Sequence, residues 1–358
     1  MPPALPPLAG WSALSASRSI RDILPKRARV LAFPRKSNQL RRNVLAFILR
    51  RFASMLVVLL CVITFTFVLV QLAPGGPFTR ERSIPPTIKK ELEARYNLDG
   101  PIWQQFTTYL GVRKNSRGEY SGILQGDFQP SLKYRDRSVR ELLAQSLPIS
   151  ATLGFAAFLL ATTGGVWLGS LAAVRHRSPT DLCAMLAALF FISIPNFVVG
   201  PVLIMLFAIK IQALPVGGWT SWTSLVLPAI TLAGPYVAYI ARLMRTSMLE
   251  VLHQDFVRTA RAKGLSEGRV VYQHALKVGI LPVVSYLGPL AAGLVTGSIV
   301  VETIFNIPGS GPFFIGAIQN NDVFLLEGVV IVDCLLIVLF NFGVDIAYTW
   351  LDRRIRLE

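Results

Sequence analysis

From Phe52 to Ala73 the chain runs 22 residues without a charge, introduced by Arg50-Arg51. A run of that length spans the hydrocarbon of a bilayer as a helix, which needs about 20 apolar residues. Comparable runs follow at about Leu147–Val174, Leu182–Ile209, Ser224–Ala241, Val278–Ile304 and Val323–Leu351. Six spans predict an all-α polytopic membrane protein. Composition agrees: 53% of residues are hydrophobic, 16% are charged and the mean hydropathy is +0.52, values outside the range of soluble domains.

The net charge of +16 does not point to a nucleic acid, because Lys and Arg cluster at the ends of the apolar runs, beside anionic lipid headgroups. Counting them sets the orientation. Residues 1–51 hold eleven, the turn Arg175-His176-Arg177 two, residues 242–277 seven, and the tail Arg353, Arg354 and Arg356. The opposite side has only Lys210 in its short loops. Both termini are therefore expected in the cytoplasm. The segment 74–146 is expected outside, since its twelve basic residues lie in a loop too long to obey the rule.

This divides the chain into a basic extension (1–44), a first span (45–73), an extracytoplasmic segment (74–146), a five-helix core (147–351) with a long inside loop (242–277), and a tail (352–358). The extension is Pro-, Ser- and Arg-rich with Asp22 as its single acid, too polar to bury a core and expected to be disordered. In the outer segment Pro74-Gly75-Gly76-Pro77 breaks the first helix, and helical periodicity appears around Thr87–Tyr96. Trp103, Phe106, Tyr109, Phe128 and Tyr134 are expected to pack a minimal core there.

Catalytic and metal chemistry finds no support. Cys61, Cys183 and Cys334 lie inside apolar runs, and His176, His253 and His274 stand singly in polar loops. No Walker pattern, nucleophile elbow or H-E-x-x-H pair occurs, and Gly309-Ser310-Gly311 reads as a turn. If this chain moves something uphill, the energy comes from a partner or an ion gradient. Few charges lie within the spans. Glu302 and Glu327 are expected at the outer ends of their helices, within reach of water. Asp345 is expected to pair with Arg or Tyr near the inner end. Asp333, deeper, is a candidate for the lining of a polar path, with Asn341 between the two as a structural residue. Pro195 is expected to kink the third span at its middle. Gly165-x-x-x-Gly169 and Gly293-x-x-x-Gly297 supply two small-residue seams.

The long inside loop carries the most specific signal. Met248, Leu252 and Phe256 recur at i, i+4, Gly264 is placed for a left-handed helix end, and Ser266 with Glu267 can open the next helix. A short helix, a glycine break and a second helix are expected across the membrane face. The run Phe256–Gly264, followed by His274-Ala275-Leu276-Lys277 and Leu281-Pro282, resembles the signature loop of the permeases of binding-protein-dependent ATP-binding cassette importers. Arg258, Thr259 and Ala260 match the Glu-Ala-Ala positions of the general motif, and Gly264 matches its glycine. Arg in place of Glu, and a longer distance to Leu281-Pro282, are departures that resemble the oligopeptide/dipeptide branch. Leu72–Phe78, Gly126-Asp127-Phe128, Pro130–Tyr134, Ile194–Phe197, Glu302–Phe305 and the tail Asp352–Arg356 extend the likeness to about residues 45–358, most like the first permease subunit of an oligopeptide importer. The resemblance implies the type I importer permease fold and a homologous second permease as partner. It also implies two cytoplasmic ATPases that bind ATP and magnesium, and an external peptide-binding protein received near residues 74–146. Arg258, Thr259, Ala260, Arg261, Ala262, Lys263, Gly264 and Leu265 would form the helix that couples to an ATPase. Dipeptide, nickel and glutathione importers share the pattern, and a secondary carrier is the alternative class.

Overall fold

The first long helix opens at Ser37, inside the extension expected to be disordered, and runs through Arg50-Arg51 into the uncharged stretch that follows; apolar runs build most of the rest. The computed structural model describes residues 37–72, 91, 96, 100–116, 118–134 and 137–351. Leu49–Arg356 form one body; Met1–Ile48 with Leu357–Glu358 form a second unit, described only from Ser37. The expectations for residues 1–36, for Pro74–Pro77, for most of Thr87–Tyr96 and for Asp352–Arg356 lie outside the described residues.

The described helices are α1 (Ser37–Leu72), α2 (Ile102–Leu110), α3 (Val139–Val174), α4 (Pro179–Ser193), α5 (Asn196–Lys210), α6 (Val226–Leu252), α7 (Asp255–Ala262), α8 (Glu267–Gly279), α9 (Leu281–Val295), α10 (Ile299–Ile304), α11 (Ser310–Gln319) and α12 (Val323–Leu351). Four segments are long and apolar enough to cross a membrane, and six if the bent pairs α4/α5 and α8/α9 each count as one span. The end of the bundle bearing Arg175–Arg177 and the loop after α6 is called the basic end below.

Helix α3 begins eight residues before the expected start, inside the segment assigned to the outer loop. Ser138 caps it: its hydroxyl accepts from the Glu141 N–H, and Glu141 accepts from the Ser138 N–H. The α3–α6 seam is closely packed along both helices. A Cβ on Gly165 would stand 2.6 Å from the Ile240 Cβ, and one on Gly169 would strike the Ala241 carbonyl, so only glycine permits the approach. The second expected seam does not exist. Helix α9 stops at Val295, Gly297 takes φ +83, and a Cβ on Gly293 would meet nothing within 4 Å. Gly288 is the close-packed glycine of α9, against Val344.

Pro195 does more than kink the third span. Ile194, pushed out of the helical region by the following proline, is extended (φ −97, ψ 122), and α4 and α5 differ by 109° across the break. Helix α5 then packs beside α10, where Gly200 faces Ile304 and Phe305. The aromatic residues of the outer segment form no separate core either. Phe106, Tyr109 and Phe128 pack on Ile63, Phe67 and Ile331 of the long helices, Tyr134 meets Phe313, and Trp103 is 62% exposed. So short a segment buries more apolar surface by using the bundle as its floor.

Helix α1 is tied to the body at two levels. Arg51 pairs with Asp345 at 3.3 Å and Phe52 meets Phe342, while further out Phe67 packs on Phe106 and Tyr109. Between α1 and α11/α12 lies an apolar groove of about 1280 Å³.

Candidate functional site

At the basic end α6 gives way to α7 through a turn of two residues. The N–H groups of His253 and Gln254 return to the carbonyls of Glu250 and Val251. Asp255 stands in the first turn of α7 and Arg261 in the last, matching the helix dipole at both ends. Its single buried face consists of Val257 and Ala260, three residues apart; the residue after the glycine turn, Leu265, packs against the same core. Everything else on α7 and its turn is exposed: Asp255, Phe256 (39%), Arg258, Thr259, Arg261, Ala262, Lys263 and Gly264.

Gly264 closes α7 at φ +76, a conformation other residues reach only under strain, and the Leu265 N–H returns to the Ala260 carbonyl. Arg261 spans that turn with a forked contact to Glu267, at 2.8 and 3.3 Å. Both side chains face solvent, so the pair fixes direction more than it stabilises. The expected cap by the Ser266 side chain is absent, and Ser266 leads into α8 through its backbone conformation alone. Val270, Val271 and Ala275 anchor α8, and Gly279 rests on Met248.

The expected stripe Met248–Leu252–Phe256 is not one surface. Met248 and Leu252 belong to α6, with Met248 fully buried, and Phe256 points outward beyond the turn. The inside loop is correspondingly shorter than 242–277. The eight residues Arg258–Leu265 do come together, as a small cationic and apolar platform without a nucleophile, an acid–base pair or a cavity of its own. Such a surface suits docking.

The remaining candidates lie elsewhere. Asp345 contacts Arg51, as described above. Asn341 is exposed on α12, and Pro195 marks the α4/α5 break. Asp333 is half-buried, and its Oδ1 has no hydrogen-bond partner among the described residues.

Two groups escaped sequence reasoning. At the basic end Asp181 receives a fork from Arg245 (Nε 2.6 Å, Nη2 2.8 Å) and the Arg177 N–H at 3.0 Å, with His176 3.3 Å away. At the opposite end Glu302 and Glu327 are buried, where exposure was expected. Glu302 accepts the Gly311 N–H at 2.8 Å, and Ser150 accepts the Ser310 N–H at 2.9 Å. Gly309-Ser310-Gly311 is thus the covered N-terminus of α11 and not a free turn. Side chains on Gly297 or Gly309 would run into the Glu302 carboxyl. Burial pushes that carboxyl above its ordinary value, and the Gly311 N–H offsets part of the effect. These partners lie up to 160 residues apart, and no local pattern marks them. Among the described residues no cluster of His, Cys, Asp or Glu could hold a metal ion.

Comparison with known proteins fits this architecture. Residues 165–357 match the family model described as binding-protein-dependent transport system inner membrane component. The oligopeptide transport system permease protein OppB of Haemophilus influenzae is 43% identical over 315 residues, covering 87% of this chain and 100% of that protein. OppB of Escherichia coli (strain K12) is 44% identical with the same coverage, and the dipeptide transport system permease protein DppB of Bacillus subtilis (strain 168) is 40% identical over 87% of this chain and 98% of its own. Among solved structures, the inward-facing MetNI methionine ABC transporter superposes with a TM-score of 0.50 at 18% identity, covering 60% of this chain and 97% of that one, a likeness of fold. The chain belongs to the binding-protein-dependent transport system inner membrane components, and is a transport subunit rather than an enzyme.

Proposed function

We propose that this chain is the membrane-spanning subunit through which an ATP-driven importer passes oligopeptides across the bacterial inner membrane, with α7 as the helix that couples to an ATPase. The observation that carries the reading is α7 itself: anchored by Val257 and Ala260, ended by Gly264, and exposing Phe256, Arg258, Thr259, Arg261, Ala262 and Lys263 beside a bundle that has no phosphate loop. Full-length likeness to oligopeptide permeases supports the cargo. The partners are a homologous second permease, two ATPases holding ATP and magnesium, and a peptide-binding protein on the side of residues 74–146. Both termini face the cytoplasm, as the Lys and Arg count argues.

In this reading ATP binding draws the ATPases together, α7 moves as a rigid body, and the bundle shifts between two arrangements around the cargo. A dipeptide permease is the second reading, favoured by the 40% identity to DppB.

The test is peptide uptake and ATP hydrolysis by the whole complex in proteoliposomes. Gly264→Val strains the turn and Ala260→Trp lifts α7 from its floor; each is expected to reduce ATP-driven uptake at least about tenfold, since a 1.4 kcal/mol loss of coupling already suffices. Uptake at the wild-type rate by both variants refutes the coupling role. Competition by di- and pentapeptides separates the two cargo readings.

A further inference from the structure

One face of α6 is left uncovered by every other helix, and it is polar. From Tyr239 to Leu252 its exposed residues are Tyr239, Arg242, Thr246 and Glu250. Their spacing of three and four aligns them along the helix. Beside them α9 leaves Leu281, Pro282, Ser285, Pro289 and Gly293 exposed, a thin edge with Ser285 as its polar side chain and Leu281 as its one large apolar one. Helix α1 contrasts sharply, exposing Leu56, Val57, Leu60, Phe65 and Leu69 as a lipid-facing helix does. An arginine held against hydrocarbon is costly, so the α6/α9 strip is built to meet water or polar cargo.

The two lines join at an aromatic group. The rings of Tyr239 and Tyr286 lie 4.5 Å apart at 37°, and Tyr236, half-buried, stands three residues before Tyr239 on the same helix. Tyr239 is 43% exposed. Among the described residues none of the three hydroxyls has a hydrogen-bond partner, and Arg242 has no acid beside it. Depth follows from Arg245, which is fixed to Asp181 at the basic end: Arg242 lies about one turn further in, Tyr239 about 9 Å and Tyr236 about 13 Å. The strip is therefore a wall open toward the basic end, with aromatic hydroxyls above a single unpaired cation.

We propose that Tyr236, Tyr239 and Tyr286 with Arg242 form a peptide-contacting station on the translocation path, in which Arg242 receives the peptide's C-terminal carboxylate. The proposal rests on the reading of this chain as a peptide permease. A phenol hydroxyl both donates and accepts, so it serves peptide N–H and C=O groups alike, and the ring face accommodates any side chain. That combination holds a backbone without selecting its sequence. The carboxylate is the one charge that peptides of every composition share at that end, and a guanidinium binds it through two hydrogen bonds.

The experiment uses the reconstituted complex with its binding protein and compares a free-acid peptide with the same peptide amidated at its C-terminus. Arg242→Gln is expected to narrow the ratio of free-acid to amide uptake about tenfold relative to wild type, and Arg242→Lys to restore most of it. An unchanged ratio in Arg242→Gln overturns the assignment; wild type that takes up neither peptide with ATP overturns the underlying permease reading instead. A second measurement does not depend on the charge. With Cys61, Cys183 and Cys334 replaced by alanine, Tyr239→Cys and Ser285→Cys are expected to react with a membrane-impermeant thiol reagent, and peptide is expected to slow the reaction, whereas Leu56→Cys stays inert. Inert Tyr239→Cys and Ser285→Cys would place the strip in lipid and end the proposal.

Discussion

Glu302 is closely confined: fully buried, it caps α11 and is hemmed in by Gly297, Gly309 and Gly311. Its raised pKa means that the folded state holds the proton more tightly than the unfolded chain does. The stability this contributes is complete below the ordinary value of 4.5 and is lost as pH rises through the folded value. Thermal unfolding of the purified subunit in detergent, followed from about pH 4 to 8, is expected to show wild type losing stability with rising pH, while Glu302→Gln keeps a flatter profile. A wild-type curve parallel to that of the Gln variant would show that the buried carboxyl carries no such linkage. Sequence alone misplaced Glu302 because its position near the end of an apolar run looks water-accessible; the cover comes from Ser150 and the 309–311 turn, and only folding brings them there. Gly264 was legible for the opposite reason, since its role depends on neighbours within five residues.

Among the elements, α12 begins and ends where the sequence predicts, but the expected span Val278–Ile304 is divided between α8, α9 and α10, and the span expected to end at Ala241 runs on to Leu252. Helices set by capping or by broken backbone were not legible. Ser138-x-x-Glu141 lies in the sequence as a capping box, yet it sits before the apolar run that drew the boundary at residue 147. The proline signal at 195 was noticed, but its size depends on the packing of α5 against α10. The α3–α6 seam yields a direct check. Gly169→Leu must displace backbone, and is expected to destabilise the subunit by at least about 2 kcal/mol, read as a lower unfolding temperature and poor recovery from the membrane. Asp181→Asn leaves the Arg245 guanidinium half-buried without its counter-ion, a loss of about 3 kcal/mol by the same measurement. A fall smaller than that in Arg245→Met/Asp181→Leu would show that the pair orients α4 against α6 more than it stabilises them.

Across the whole molecule, the all-helical membrane class was legible because membrane spans announce themselves by length, whereas the packing of the segment between the first two spans was not. The outer segment packs on α1, α3 and α12 in place of a core of its own, so cutting at residue 146 would sever a helix. Helix α1 is held at the two levels of contact given above. Asp345→Asn is expected to cost less than about 1 kcal/mol, because the Arg51 side chain is half exposed; a larger loss of folded subunit would give Asp345 a role beyond that pair.

The two-residue turn between α6 and α7 has one more effect. So short a joint has no slack. A protein gripping Phe256 and Arg258 is in effect holding the handle of a crank whose shaft is α6, with Tyr239 and Tyr236 riding on that shaft. If α7 couples to an ATPase as proposed, a twist applied there passes into α6 through two residues, with little loop to absorb it.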